Sequence, residues 1–337
     1  MADSKSRIAY RISRIAYRIS RIAYRISRIA YRVSRIAITK YASLITHHET
    51  IRYSLSAIRY MPFAIRYLPF AIRYLPFAIC HSPFAICHSP SATMPPAIHL
   101  LSIPVHNVTF VETIEIIDSF IQEKTAHQIC TVNPEFVMAA QSDDEFRSIL
   151  QNADLCLPDG VGIVWAAKWL KSPLRERVTG SDLVPMIARE AASRGWKLFF
   201  LGAEEGVADR AAQILRERHP QLKIVGARAG SPHINDDDES IRLIRQAQPD
   251  ILFVAYGAPA QDKWIQRNRS RVGVPVLMGV GGSFDFISGV AARAPRWIQN
   301  IGLEWLHRLI QQPWRWKRML ALPRFVAAVL FYKLPKS

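Results

Sequence analysis

From about residue 101 onward, short runs of Val, Ile, Leu and Phe return at regular intervals, each closed by Gly, Pro or Asn. The runs are HQICTVN, KLFFLGA, LKIVGAR, DILFVAYG and VPVLMGVG. They are apolar throughout, with no alternation, and so read as strands buried on both faces. Helical patterns fill the gaps, over 134–152, 160–170, 181–194, 207–218, 238–248 and 259–271. Strand and helix alternating at this spacing leave few folds open. The expected one is α/β: a Rossmann-like, mostly parallel sheet with helices on both faces.

In such sheets ligands bind beyond the carboxyl ends of the strands, so the loops there are the ones to inspect. They carry Thr131 and Asn133, then Asp159, then Gly202 and Gly206, then Gly257, Pro259 and Gln261, then Gly279, Gly281, Gly282 and Asp285. Glycines such as Gly202, Gly257 and Gly281 let a phosphate or sugar approach the backbone, and the helix N-termini that follow offer free N–H groups. A nucleotide-type ligand fits that chemistry. No GxGxxG follows the first strand and no GxxxxGK[ST] occurs, which argues against a dinucleotide-dependent oxidoreductase and a P-loop enzyme. Asp159 ends the apolar run LCLP in a Pro-Asp-Gly turn, where a carboxylate serves equally as a fixed proton acceptor, a turn former or a helix cap.

Charge divides the chain into three parts. Residues 1–100 hold 15 Lys and Arg against Asp3 and Glu49, and residues 293–337 hold nine against Glu304 alone, around a slightly acidic body. The pI near 10 therefore comes from the two ends, with no recognised nucleic-acid-binding module behind it. The first hundred residues are a heptapeptide repeat, SRIAYRI and then AIRYLPF and AICHSPF. Ile8, Ile12, Ile15, Ile19 and Ile22 follow a coiled-coil spacing, but arginines without acidic partners and a proline every seven residues from Pro62 to Pro90 oppose a helix. The expectation is a disordered arm or the product of an over-long reading frame, dispensable up to Met94. The repeat itself accounts for Cys80, His81, Cys87 and His88, so no zinc site is read there. The four cysteines show no paired framework, which suits a reducing compartment.

Taken together, TVNPEFV, ADLCLPDGVGIV, RVTGSDL, LFFLGAEEGVADRAA, PDILFVAYGAPAQDKWI, GVGGSFDFISG, RAPRWIQNIGLEWLHRL and PWRWKRM resemble, in order and spacing, the WecG/TagA/CpsF family of bacterial glycosyltransferases over residues 101–333. The resemblance implies a GT-E-like fold and transfer of a sugar (N-acetylmannosamine, its uronic acid or glucose) from a UDP donor to a polyprenyl-diphosphate-linked glycan. The product would enter a surface polysaccharide, exopolysaccharide or wall polymer. It implies Asp159 as catalytic base, Thr131, Asn133 and Gln261 as donor or acceptor contacts, and Arg177 as a diphosphate ligand. Arg308, Arg315 and Arg318 match tail arginines that close over the site and stabilise the departing UDP. Where the family usually has Lys and Glu around the motif glutamine, this chain has Ala260 and Asp262. No obligatory cofactor or metal is expected; NDDDES at 235–240 reads as a solvated helix start.

The three expected parts are thus the repeat at 1–100, an α/β core at 101–295 and a basic, aromatic, helical appendage at 296–337. The appendage interleaves Trp297, Trp305, Trp314, Trp316, Phe325 and Phe331 with Arg308, Arg315, Lys317, Arg318, Arg324 and Lys333. No run reaches the roughly 18–20 apolar residues of a membrane span. The mixture suits helices lying on an anionic membrane surface, at the inner face of the cytoplasmic membrane where a lipid-linked acceptor resides. The alternative is a buried helix pair. Partners beyond donor, acceptor and membrane reduce to self-association into a homo-oligomer, which the sequence leaves open.

Overall fold

The computed structural model describes residues 94–332, apart from 296, 297, 300 and 301 and the side chain of Trp314. The repeat, Trp297 and Lys333 lie outside the described residues. The five anticipated strands are β3 (His127–Val132), β5 (Lys197–Gly202), β6 (Lys223–Arg228), β7 (Ile251–Ala255) and β8 (Val276–Gly279), joined by β4 (Leu155–Pro158). These six form one sheet of order β4-β3-β8-β7-β5-β6, with every neighbouring pair parallel. From β3 the chain steps outward to the edge strand β4, and all later strands lie on the other side. The crevice between the ends of β3 and β8 is therefore the topological switch point, where a ligand is expected.

Strand residues alternate between two apolar layers. On one face Ile129, Leu198, Phe200, Phe253 and Met278 pack with helices α1 (Phe110–Glu123), α5 (Gly180–Arg194) and α6 (Val207–Arg218) and the short α9 (Ser283–Ser288). On the other, Leu252, Val254 and Leu277 meet α7 (Asp237–Ala247) and α8 (Ala260–Val272). Cys130, Val132 and Cys156 on that face meet α2 (Pro134–Ala140), α3 (Asp144–Gln151) and α4 (Val161–Trp169).

Four local features differ from the sequence reading. The stretch 134–152 is two helices, because Asp143 accepts the Phe146 N–H at 3.0 Å and starts α3 afresh, while Arg147 Nε closes the end of α2 on the Ala140 carbonyl. Helix α1 was not anticipated, although Thr109 and Glu112 form a reciprocal capping box at its start. A hairpin of β1 (Ala97–Leu100) and β2 (Ile103–His106) begins before residue 101, and His106 Nδ1 accepts the Cys156 N–H at 2.9 Å, satisfying a donor on the sheet's edge strand. At the start of α7, Asp237 is buried, with Arg267 bonding both its carboxylate oxygens, at 2.6 and 2.9 Å; this part of the NDDDES cluster is paired and not solvated.

The tail forms α10 (Glu304–Gln311), a 3-10 turn at Pro313–Arg315, α11 (Trp316–Met319) and α12 (Ala321–Phe331). Helix α12 docks on α2, burying Phe325 and Val329 fully in the core beside Val132 and Phe136. Phe325 is therefore a packing residue and not a membrane-facing aromatic. Leu330 and Phe331 on α12 are exposed, away from the docked residues.

Candidate functional site

A cavity of about 550 Å³ opens at the switch point, walled by the loops after β3, β4, β7 and β8 and roofed by the tail. Each wall follows from local chemistry. Asn133 Oδ1 accepts the Phe136 N–H at 3.0 Å and Pro134 occupies the first helical position, so β3 passes directly into α2 and the Asn133 amide nitrogen remains for a ligand. After β4, the Asp159 N–H bonds the Val132 carbonyl at 2.9 Å, and Gly160 takes φ +94, a conformation that lets α4 start at once. Asp159 is thereby anchored at the floor of the cavity, and its Oδ2 receives the Gly180 N–H from the start of α5 at 3.4 Å.

Burial pushes the Asp159 carboxyl up to about 7. The Gly180 N–H and the Arg177 guanidinium work against the rise, and the Glu304 and Asp182 carboxylates add to it. A carboxyl pushed toward neutrality can take up a proton at neutral pH. Above it stand three arginines of the tail. Arg308 lies 4.8 Å from the centre of the Phe286 ring and 3.7 Å from Asp285, and Arg318 bonds Glu135 at 2.7 Å. Arg315 has no ion pair among the described residues; burial, with Arg308 and Arg318 beside it, pushes it down to about 10. An unpaired, crowded cation under these conditions is a site waiting for an anion, and guanidinium forks match phosphate oxygens.

Of the residues singled out from sequence, Asp159, Thr131, Asn133, Arg177, Gln261, Gly257, Gly281, Arg308, Arg315 and Arg318 all line this cavity. Gly202 does not. A Cβ there would stand 2.7 Å from the Ala255 backbone, so its lack of a side chain serves the close packing of β5 on β7. Gln261 is buried, with its Oε1 accepting the Gly281 N–H at 2.9 Å; it braces the Gly281 loop from beneath. The Thr131 hydroxyl donates to the Gly279 carbonyl at 3.4 Å. Glu304 also lines the cavity, while Asp285 stands behind Arg308. Glu135, Trp165, Phe286 and Trp305 also stand in the lining, with Arg293 behind it, none of them singled out above as a site residue. Four of the five carried a signal, Glu135 in TVNPEFV, Phe286 in GVGGSFDFISG, and Arg293 and Trp305 in RAPRWIQNIGLEWLHRL; Trp165 lies just outside the quoted motifs.

Comparison with known proteins bears on what such a cavity holds. The Glycosyl transferase WecG/TagA/CpsF family profile matches residues 98–337. The chain is similar to the N-acetylglucosaminyldiphosphoundecaprenol N-acetyl-beta-D-mannosaminyltransferase of Bacillus subtilis strain 168, 34% identical over 232 residues, covering 67% of this chain and 90% of that protein. It is likewise similar to the protein of that name in Bacillus spizizenii, 34% identical over 63% of this chain and 82% of the relative. For the Staphylococcus aureus MW2 protein of that name the figures are 29%, 71% and 92%.

Proposed function

The chain belongs to the WecG/TagA/CpsF family of glycosyltransferases, and from that premise we propose that it transfers N-acetylmannosamine from a UDP donor to N-acetylglucosamine carried on a polyprenyl diphosphate. The names of the relatives support the sugar and the acceptor. The observation that carries the mechanism is the juxtaposition of a carboxyl titrating at about 7 on the cavity floor with three arginines in its roof.

In this reading the acceptor hydroxyl attacks the anomeric carbon of the donor sugar and its proton passes to Asp159. The bond from that carbon to the diphosphate oxygen breaks, and UDP leaves with the electron pair. Arg308, Arg315 and Arg318 stabilise the charge that grows on the diphosphate, with Arg177 beside the floor as a further cation. Asn133 and Thr131 stand where the donor sugar would lie, and the Gly257 and Gly281 loops give it close access to the backbone. Because guanidinium groups carry the leaving-group charge, no metal is assigned a step, and transfer should persist in a chelator.

The tail supports a peripheral membrane location at the cytoplasmic face, where the lipid-linked acceptor would be met. No helix among the described residues is long and apolar enough to cross a membrane. Trp305, Leu306 and Ile310 on α10, Trp316 and Leu320 on and after α11, and Leu330 and Phe331 on α12 are nonetheless exposed, with Lys317 and Arg324 among them. The test is a transfer assay with the full chain, UDP-N-acetylmannosamine, UDP-glucose and the uronic-acid donor in parallel, and a short-chain polyprenyl-diphosphate N-acetylglucosamine acceptor. Product with the first donor, with and without EDTA, is the expected result. Product with only another donor would overturn the sugar assignment.

A further inference from the structure

Arg293 lies in the segment leading into the tail and bonds two carboxylates at once. Its Nη1 and Nη2 meet Asp182 Oδ1 and Oδ2 at 2.6 and 2.7 Å, a planar fork against the start of α5, and its Nε meets Glu304 Oε1 at 3.2 Å, at the start of α10. Asp182 is in turn tied to Thr179, whose hydroxyl donates to Oδ2 at 2.6 Å and caps α5. The next residue, Gly180, supplies the N–H that reaches Asp159. One guanidinium thus joins the helix start beneath the base to the helix that carries Arg308 into the roof.

We propose that Arg293 is a positioning residue, a clasp that seats α10 over the cavity and neutralises two carboxylates, Asp182 and Glu304, beside Asp159. The proposal rests on the reading of Asp159 as proton acceptor. The charged groups around Asp159 are Arg177 from the loop before α5, Asp182 from α5 and Glu304 from α10, with Arg293 bonded to the last two, and Arg308, Arg315 and Arg318 of the tail across the cavity. Burial alone would lift the Asp182 carboxyl, but its bonds to Arg293 and Thr179 outweigh that and hold it below its ordinary value, so it stays ionised beside the base. Without Arg293, two uncompensated carboxylates would face Asp159 and the roof helix would lose its anchor. Without the Glu304 charge, one like charge would be gone.

These two losses move the base in opposite directions, which simple loosening of the fold would not do. The experiment is the pH profile of kcat/KM for the full chain between about pH 5 and 9, with UDP-N-acetylmannosamine and the lipid-linked acceptor, for wild type, Asp159→Asn, Arg293→Met, Arg293→Lys and Glu304→Gln. In wild type the rate should rise through an acidic limb near 7. Arg293→Met should shift the limb up by about one pH unit and lower kcat about tenfold or more, with a smaller change in donor KM. Arg293→Lys should return the limb toward its wild-type position, and Glu304→Gln should shift it down. A limb that stays in place in Arg293→Met overturns the clasp; if Arg293→Met does not fold, Arg293→Gln, which keeps a hydrogen-bond donor without the charge, takes its place, and an unmoved limb there overturns it. A wild-type profile without an acidic limb, or full activity in Asp159→Asn, overturns the base reading instead.

Discussion

Asp159 and Asp262 are two carboxyls that burial drives in the same direction, each up to about 7. Asp262 sits at the start of α8, where its Oδ1 accepts from the Cys130 thiol at 3.5 Å and its Oδ2 has no partner among the described residues. This is one of the two positions at which the chain departs from the family pattern in its Gly-x-Pro-x-Gln segment. A carboxyl whose folded pKa lies above its unfolded value favours the folded state fully below about pH 4, and that advantage is lost as pH rises through about 7. Asp262→Asn should therefore flatten the decline in stability between pH 5 and pH 8 by about 2–3 kcal/mol, read from urea midpoints at the two pH values. An unchanged decline would show that Asp262 is ionised at little cost. Asp159→Asn should flatten it as well, by a smaller amount, since cavity water screens that group.

At the level of elements, the five strands and most helices were legible because burial on both faces writes a continuous apolar run, and helix ends are marked by caps. The hairpin was not, since its turn places Leu101 and Ser102 at φ +50 and +69, a conformation normally announced by Asn-Gly and here carried by residues that give no such signal. The loops that form the site were legible from their position after strands, but Gly202 shared their sequence signature while serving strand packing. The tail was half legible: its cations reach the cavity as the family pattern implies, yet the interleaved aromatics do not all face one way. Phe325→Ala should undock α12 from α2, a loss of about 3 kcal/mol or more at that contact. Amide exchange should then quicken across residues 304–331 while the sheet keeps its protection, and transfer should fall as Arg315 and Arg318 leave the cavity. Unaltered exchange in the tail would show that other contacts hold it.

Across the whole molecule, a core with a carboxyl floor and a tail with a cationic roof are incomplete without each other, and the tail also carries the exposed apolar residues. Phe331 is 85% exposed, next to Leu330 on the outer side of α12. Replacing both with Ser should leave the cavity lining untouched and weaken sedimentation with anionic phospholipid vesicles at least several-fold, at about 1.5–3 kcal/mol per large apolar side chain inserted. Equal sedimentation would remove these residues from the membrane-facing set. The most direct measurement is one rate: transfer from the proposed donor, UDP-N-acetylmannosamine, to the proposed lipid-linked acceptor by Asp159→Asn, compared with wild type at pH 8, where the base is ionised. General-base catalysis at Asp159 predicts a fall of about 10²-fold or more with the fold intact; a folded Asp159→Asn protein that transfers at close to the wild-type rate would contradict it.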